Sequence, residues 1–233
     1  MDLLAKIRAL GEIHSIDFIG VAGIARYQKE IAEIGGNAAS GYPRALSIGI
    51  ALPNSIVDLL GGEHTYENVL LYNTHAYTVV NDRLNAFSST LASLLQREGH
   101  RALPVPAAER IDGGCLCASV SQKMIARLAG FGWIGKSCLL ITPEHGPRVR
   151  WTTVLTDAPL EENENFLDVR CGDCDRCVAI CPAQAFTGRN YVEGEPREAR
   201  YDARKCEVYL ESQKDEVGRA VCGMCLYVCP YGH

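Results

Sequence analysis

Apolar side chains along the first 160 residues recur with helical periods in some stretches and form short continuous runs in others. Intervals of three and four residues predict amphipathic helices, and short apolar runs bounded by turn residues predict buried strands. The predicted helices cover residues 2–12, 26–34, 66–98 (one long helix or two stacked ones) and 119–129, and the predicted strands cover residues 17–22, 45–51, 138–143 and 148–156. Alternating helices and strands indicate an α/β layered domain.

The last two predicted strands, 138–143 and 148–156, are joined by a connection of four residues, Glu144 to Pro147. Four residues suit a hairpin and are too few for a crossover between parallel strands. We therefore expect an antiparallel hairpin here, as part of a mixed sheet.

Cysteine is distributed unevenly along the chain. Eight of the 11 cysteines lie between residues 171 and 229, and the other three lie before residue 160. The acidic stretch 160–165 between these parts is interpreted as a solvated linker or loop. This predicts two domains: an α/β cofactor-binding domain over residues 1–160 and a cysteine-rich domain over residues 161–233.

The first four of the eight cysteines follow the spacing C-x2-C-x2-C-x3-C-P, from Cys171 to Pro182. This spacing is typical of [4Fe–4S] ligation in two-cluster ferredoxins, where the fourth cysteine binds the other cluster. The second half of the pattern recurs as C-x2-C-x3-C-P from Cys222 to Pro230, and Cys206 is the candidate for the missing cysteine.

Crossed ligation divides the eight cysteines between two clusters. The predicted ligands are Cys171, Cys174, Cys177 and Cys229 for the first cluster, and Cys181, Cys206, Cys222 and Cys225 for the second. The alternatives are zinc ribbons and a disulfide framework. Zinc favours paired C-x2-C knuckles, which give no reason for a third cysteine in the same loop or for two Cys-Pro endings.

Charge and hydropathy narrow the classes of function. The formal net charge is −5 without a long basic run, which disfavours a surface that follows nucleic-acid phosphates. No apolar stretch resembles a signal peptide or reaches the 18 residues or so of a membrane span. A reducing cytoplasm suits thiolates and oxygen-sensitive clusters, so we expect a cytoplasmic protein.

Residues 130–137, Gly-Phe-Gly-Trp-Ile-Gly-Lys-Ser, match the pattern of a phosphate-binding P-loop. A P-loop must leave a strand and open a helix, so that backbone N–H groups at the helix N-terminus face the phosphates. Here a predicted helix precedes the motif and a predicted strand follows it. The pattern therefore favours a tight helix-to-strand turn, with Trp133 packed on the core, over a nucleotide site.

Together with the cysteine motifs, residues 126–141 resemble epoxyqueuosine reductases and the wider group of cobalamin-dependent iron–sulfur reductases that includes reductive dehalogenases. Further matches lie at 42–50 and 146–150, so the resemblance extends over residues 40–230. It implies a nitroreductase-like α/β domain of the cobalamin-binding type, followed by a ferredoxin-like domain that supplies electrons. The residues considered for contacts to the cofactor are Gly132, Trp133, Gly135, Lys136 and Arg148.

Arg148 and Arg150 have two interpretations. In the first interpretation, the two side chains bind an anionic propionate, phosphate or substrate carboxylate. In the second, they are exposed residues of a strand.

The chain departs from that family's pattern at three places. The family's catalytic aspartate precedes the helix that leads into the glycine turn, and here Asp112 is the nearest carboxylate but is out of register. Residues 121–123 read Ser-Gln-Lys where the family has Ser-His-Lys, and the chain ends at His233 without the helical-repeat domain that longer members use for tRNA. We therefore expect a substrate other than tRNA.

Three further cysteines lie outside the double motif. Cys115 and Cys117 alternate, so a strand would place them on one face. They are interpreted either as small buried hydrophobic residues or as a redox or ligand pair that faces the cofactor. Cys138 begins an apolar run and is predicted to lie in the core.

These observations favour an iron–sulfur oxidoreductase that passes low-potential electrons through two [4Fe–4S] clusters to a bound cofactor. Cobalamin is the cofactor that the resemblance implies, and a ferredoxin or flavodoxin is the kind of donor it implies. The alternative is a ferredoxin-like electron carrier or reductive activator that docks onto a partner corrinoid protein. A third hypothesis is a flavin bound in the front domain.

Overall fold

The computed structural model describes residues 2–62, 65–108, 116 and 118–232. Contacts divide the chain into two compact units, each drawn from three separate stretches. The first unit comprises Met1–Ala51, Val80–Phe131 and Arg150–Leu167, and the second comprises Leu52–Val79, Gly132–Val149 and Asp168–His233. The boundary near residue 160 that the sequence suggested stays a prediction.

The α-helices of the described residues range from four residues in α7 and α9 to 18 residues in α5. They are α1 (Leu3–Ile13), α2 (Gln28–Ala39), α3 (Asn54–Asp58), α4 (Tyr66–Asn73), α5 (Val80–Arg97), α6 (Gln122–Leu128), α7 (Arg176–Ala179), α8 (Ala203–Val217) and α9 (Met224–Tyr227). The strands are β1 (Phe18–Gly23), β2 (Arg44–Ala51), β3 (Ala102–Val105), β4 (Trp133–Ile134), β5 (Leu140–Ile141) and β6 (Val149–Thr156). Single turns of 3-10 helix occur at Ala25–Tyr27, Leu59–Gly61, Arg197–Ala199 and Pro230–Gly232. The predicted helices at 2–12, 26–34 and 119–129 are confirmed, whereas α3, β3 and β4 were not predicted.

The predicted helical stretch 66–98 is helical throughout. It consists of α4, six residues of π-helix at Thr74–Val79, and α5. The Thr65 side chain caps the start of α4 by accepting a hydrogen bond from the Asn68 N–H, at 3.3 Å. Such a cap satisfies one of the N–H groups that a helix start leaves without a backbone partner.

A four-stranded sheet with the order β1-β2-β6-β3 forms the centre of the first unit. β1 runs antiparallel to β2, with Phe18 opposite Gly49, and β3 runs antiparallel to β6, with Val105 opposite Thr153. Six consecutive residues of β2 are buried, as are most residues of β6. Burial on both faces explains why these strands are continuous apolar runs and not alternating patterns. The mixed sheet stays a prediction.

The predicted hairpin between residues 138–143 and 148–156 is wrong. Leu140–Ile141 is β5 and pairs antiparallel with β4 in a separate two-stranded sheet, whereas β6 belongs to the four-stranded sheet. The chain between them closes a tight turn, in which Thr142 and Gly146 exchange backbone hydrogen bonds of 2.9 and 3.0 Å. Gly146 has φ +54°, a conformation that glycine adopts readily. This turn ends the pairing before a hairpin can extend.

None of the helices in the described part of the chain is both long enough and apolar enough to span a membrane.

Candidate iron–sulfur centre

The first cysteine motif forms a compact loop in the second unit. Gly172 has φ +51°, and the Cys174 N–H donates to the Cys171 carbonyl at 2.9 Å. The chain then enters α7, where the Asp175 carbonyl accepts from the Val178 N–H at 2.8 Å. This winding of the backbone turns the side chains at 171, 174 and 177 toward one cavity.

The cavity joins segments that are far apart in sequence. Its walls include the four cysteines that crossed ligation assigns to the first cluster, and Cys225 also contributes. Cys229 reaches it from the end of α9, where the Gly232 N–H closes a turn on the Cys229 carbonyl at 3.0 Å. The cavity wall also includes Gly135 and Lys136, from the turn between β4 and β5.

The thiols of this first group influence each other electrostatically. Burial, and then the nearby thiols of Cys171, Cys229 and Cys174, together raise the pKa of Cys177 to about 11. Burial likewise raises the pKa of Cys229 to about 11, with contributions from Cys171 and Cys174. A buried cluster of thiols disfavours several negative charges at once, which is the situation that a bound cation relieves.

The other four motif cysteines form a second group. Burial raises the pKa of Cys222, and Cys206 and Cys181 add to the effect. Burial is also the main cause of the raised pKa of Cys225, and the nearby thiols of Cys222 and Cys206 raise it in the same direction. The Cys181 sulfur accepts a hydrogen bond from the Ala185 N–H at 3.4 Å. Electrostatic influence thus links Cys181, Cys206, Cys222 and Cys225, and Cys225 also lines the first cavity. The division of the eight cysteines into two ligand sets stays a prediction.

Tyr201 accompanies the second group. Burial is the main reason that its pKa lies above the usual range, and a hydrogen bond between its hydroxyl and Cys206 raises that pKa further. No spacing pattern in the sequence indicates this contact, because Tyr201 belongs to no motif.

The donor set fits two iron–sulfur clusters better than the alternatives. All the cysteines in the described residues are free thiols, so none of them forms the disulfides of a crosslinked framework. In the same residues, no three His, Cys, Asp or Glu side chains are grouped so that they could hold one metal ion. A [4Fe–4S] cluster instead takes one thiolate at each of several irons, so its ligands surround a cavity without meeting at one point.

The glycine-rich turn at residues 130–137 packs against this centre. A Cβ on Gly132 would collide with the Ile141 carbonyl oxygen, so only glycine permits β4 and β5 to approach. A Cβ on Gly135 would lie 3.5 Å from the Cys171 sulfur. Trp133 is fully buried and meets the Tyr231 ring edge-to-face at 4.9 Å. Trp133 is therefore in a core, as predicted, and the turn lies between helix α6 and strand β5.

Arg148 is not an exposed strand residue. Its side chain is 1% exposed, and its guanidinium donates to Asp58 at 2.8 Å, to Asn54 at 3.1 Å and to the Tyr227 carbonyl at 3.4 Å. Gly232 also packs closely on this side chain. Arg148 thus ties α3 to the end of α9 and to the C-terminal turn, next to the segment that carries Cys229.

Arg150 and Cys138 have partners within their own units. Arg150 is half-buried and donates to the Asn81 side chain at 3.2 Å. Cys138 is buried, as predicted, and its sulfur accepts from the guanidinium of Arg200 at 3.7 Å. Asp112, Cys115 and Cys117, the candidates for an acid or a redox pair, lie outside the described residues.

The acidic stretch at 160–165 is anchored to the first unit and is not a free linker. The Asn163 N–H donates to the Val21 carbonyl at 3.0 Å, and its side chain donates to the Leu128 carbonyl at 3.2 Å. Glu162 forms an ion pair of 2.9 Å with Arg44. The stretch thus covers β1, whose outer edge would otherwise lack backbone partners.

Residues 170–232 match the family described as a 4Fe-4S double cluster binding domain. Curated relatives include the epoxyqueuosine reductase of Bacillus anthracis, 31% identical over 48% of this chain and 29% of that protein. The enzyme of the same name from Gloeobacter violaceus is 34% identical over 59% of this chain and 47% of that protein. The chain therefore spans less than half the length of these relatives.

Solved structures share the fold over nearly the whole chain. A reductive dehalogenase, described as carrying out B12-dependent dehalogenation, has a TM-score of 0.71 at 20% identity, over 97% of this chain and 31% of that one. The epoxyqueuosine reductase from Streptococcus thermophilus has a TM-score of 0.61 at 18% identity, over 100% of this chain and 66% of that one. The chain is thus a mixed α/β protein with a 4Fe-4S double cluster binding domain at residues 170–232, similar to epoxyqueuosine reductases in sequence and to both groups in fold.

Proposed function

We propose that this chain is an iron–sulfur oxidoreductase that moves low-potential electrons through two [4Fe–4S] clusters to a bound organic cofactor. The observation that carries the proposal is the convergence of Cys171, Cys174, Cys177 and Cys229 on one cavity, although Cys229 lies far along the chain. The grouping of the other four motif cysteines and the family match of residues 170–232 support it.

The protein would supply the cysteine ligands of the two clusters and the environment that surrounds them. A [4Fe–4S] cluster supplies one-electron transfer at a potential set by burial and by hydrogen bonds to its sulfurs. Seven of the eight cysteines are partly buried and would limit the access of water to the clusters, whereas Cys174 is exposed. Cys225 contributes to both environments, because it lines the first cavity and is influenced by the cysteines of the second group. We infer that Cys225 would help to hold the second cluster and would also border the site of the first, and that each cluster, when bound, would supply one-electron transfer.

We further propose cobalamin as the organic cofactor and a nitroreductase-like α/β unit as its cradle. The similarity to a B12-dependent dehalogenase supports this. Of the residues first considered for cofactor contacts, Trp133 and Arg148 are buried among protein neighbours, and Gly135 and Lys136 line the cysteine cavity. These positions do not offer a corrinoid a surface, so we propose that other residues would contact it.

The remaining parts of the proposal concern the cellular compartment, the substrate and the electron donor. We infer a cytoplasmic enzyme, since the described cysteines are free and a reducing compartment keeps them so. We infer reduction of a substrate other than tRNA, supported by the formal charge of −5 without a long basic run. A ferredoxin or flavodoxin is the class of electron donor that low-potential clusters require.

The first experiment is anaerobic purification, reconstitution with iron and sulfide, and titration with hydroxocobalamin followed by visible and EPR spectra. Eight irons per chain with tight binding and a base-off cob(II)alamin signal would support the reductase. Eight irons without corrinoid binding would overturn the cofactor assignment and favour the electron carrier. A flavin spectrum in the purified protein would instead favour the flavin hypothesis.

Ligand assignment has its own test, which compares pairs of serine variants. Crossed ligation predicts that Cys229→Ser and Cys171→Ser leave the same residual cluster spectrum, and that Cys181→Ser and Cys222→Ser leave the other. If Cys229→Ser instead matched Cys222→Ser, ligation within each motif would replace the crossed arrangement.

A further inference from the structure

Lys136 occupies an unusual position for a lysine. It lies in the turn between β4 and β5, the residue is only 8% exposed, and it lines the same cavity as the four cysteines of the first group. Among charged side chains, lysine is one of those least often buried without a partner. The placement of this ammonium group therefore requires a physical explanation.

Within the described residues, no hydrogen bond or ion pair engages the Lys136 ammonium. Burying a cation without a counter-charge is costly, and a carboxylate is the usual remedy. Here the other charged side chain on the cavity wall is Arg176, which is itself a cation and is exposed. The protein part of this cavity thus presents two cations and no carboxylate, which indicates that its occupant is an anion.

The close packing of the turn fixes where this cation sits. Gly135 has no side chain, and even a Cβ there would lie 3.5 Å from the Cys171 sulfur and 2.9 Å from Ile141. Its N–H donates to the Leu139 carbonyl at 2.9 Å, and the Cys138 N–H donates to the Gly135 carbonyl at 2.9 Å. These bonds fix the backbone on both sides of Lys136 within the turn, and Gly135 is where the turn approaches Cys171.

We propose that Lys136 is the internal counter-cation of the first iron–sulfur cluster and raises its reduction potential relative to the second. This inference rests on the cluster ligation proposed above and adds a role for the Gly-Lys turn. A cubane held by four thiolates is negatively charged, and one-electron reduction makes it more negative by one charge. A buried cation beside it stabilises the reduced form more than the oxidised form, because charges interact strongly where water is excluded.

The test is an EPR-monitored redox titration of the reconstituted full chain and of four variants. The first cluster is identified as the signal lost in Cys171→Ser. In Lys136→Gln we expect the equilibrium constant for reducing that cluster to fall at least about tenfold, a shift of about 59 mV to lower potential for one electron. The signal of the second cluster serves as the reference within the same molecule and is expected to stay unchanged.

Two matched variants separate charge from shape. Lys136→Arg keeps the positive charge, and we expect it to recover most of the lost potential. Arg176→Gln removes an exposed cation from the same cavity wall, and we expect a clearly smaller shift because solvent screens exposed charges. An equal shift in Arg176→Gln and Lys136→Gln would overturn the proposal, since burial would then have no effect.

Other outcomes are equally decisive. Unchanged potentials in a Lys136→Gln protein with eight irons would refute the role, and so would an equal shift of both clusters. Lys136→Gln could also retain only the second cluster. Eight irons in Lys136→Arg would then show that the first cluster needs the positive charge, whereas four irons in Lys136→Arg would overturn the proposal. Failure of the proposed function is seen separately, because the wild-type protein would then bind no clusters or reduce no cofactor.

Discussion

The ion pair between Arg148 and Asp58 predicts unequal effects when either partner is removed. The Arg148 side chain is 1% exposed, whereas that of Asp58 is 49% exposed. In Asp58→Ala the guanidinium stays buried beside neutral acceptors, which include Asn54 and the Tyr227 carbonyl. Losing one partner of a fully buried pair costs roughly 3–5 kcal/mol, and the exposure of Asp58 places the expected cost near the lower end, at about 3 kcal/mol.

In Arg148→Met the balance is different. The charge leaves the interior, methionine fills much of the same volume, and the carboxylate of Asp58 is free to be solvated. Lost charge-assisted hydrogen bonds cost about 1.5–3 kcal/mol each, but the recovered desolvation of the guanidinium offsets a large part of that loss. We therefore expect a net cost of about 2 kcal/mol or less, smaller than for Asp58→Ala.

The assay is the rate at which the reconstituted protein releases iron to a chelator in urea, since a protein with bound clusters need not unfold in two states. If the whole loss of stability appears in the rate at which the protein opens and exposes its clusters, about 3 kcal/mol corresponds to roughly a 100-fold faster release of iron from Asp58→Ala. The double variant should release iron more slowly than the two single effects combined predict, because the partners are coupled. Faster release from Arg148→Met than from Asp58→Ala would refute the reasoning from burial, and additive effects would refute the coupling.

Three further predictions concern packing, pH and the acidic stretch. Gly132→Ala places a methyl group against the Ile141 carbonyl and should lower stability by about 1–3 kcal/mol, seen as a lower thermal midpoint; an unchanged midpoint would contradict the close approach. Burial raises the pKa of Cys177 and Cys229 from 9.0 to about 11 in the cluster-free protein. As the pH rises, their thiols therefore ionise at a lower pH in the unfolded chain than in the folded chain. Urea denaturation of that protein should therefore show stability that is fully present below pH 9 and falls toward pH 11, whereas serine at both positions should flatten this loss. Asn163→Ala removes two side-chain hydrogen bonds to backbone carbonyls and should cost about 1–2 kcal/mol, with faster hydrogen exchange along β1, whereas unchanged exchange would show that the stretch is not anchored there.

Elements with strong periodicity were predictable because their burial pattern is local. The first helix, β1, β2 and the helical stretch at 66–98 each show their buried face in the sequence itself. Two-residue strands such as β4 and β5 have no such period, and their pairing depends on a glycine that admits a neighbouring carbonyl. The predicted hairpin was wrong for the related reason that loop length alone does not say which sheet a strand will join.

The cysteine spacing by itself determined the kind of centre, because thiolates at two-residue intervals in one loop suit the separate irons of a cubane. The same spacing predicts two crossed ligand sets. Only the tertiary structure decided that Arg148 is buried in an ion pair, that Lys136 faces the first cysteine cavity, and that the acidic stretch covers β1. The physical reason is that ligand chemistry is written in residue type and spacing, whereas burial and charge pairing depend on segments that meet only when the chain has folded.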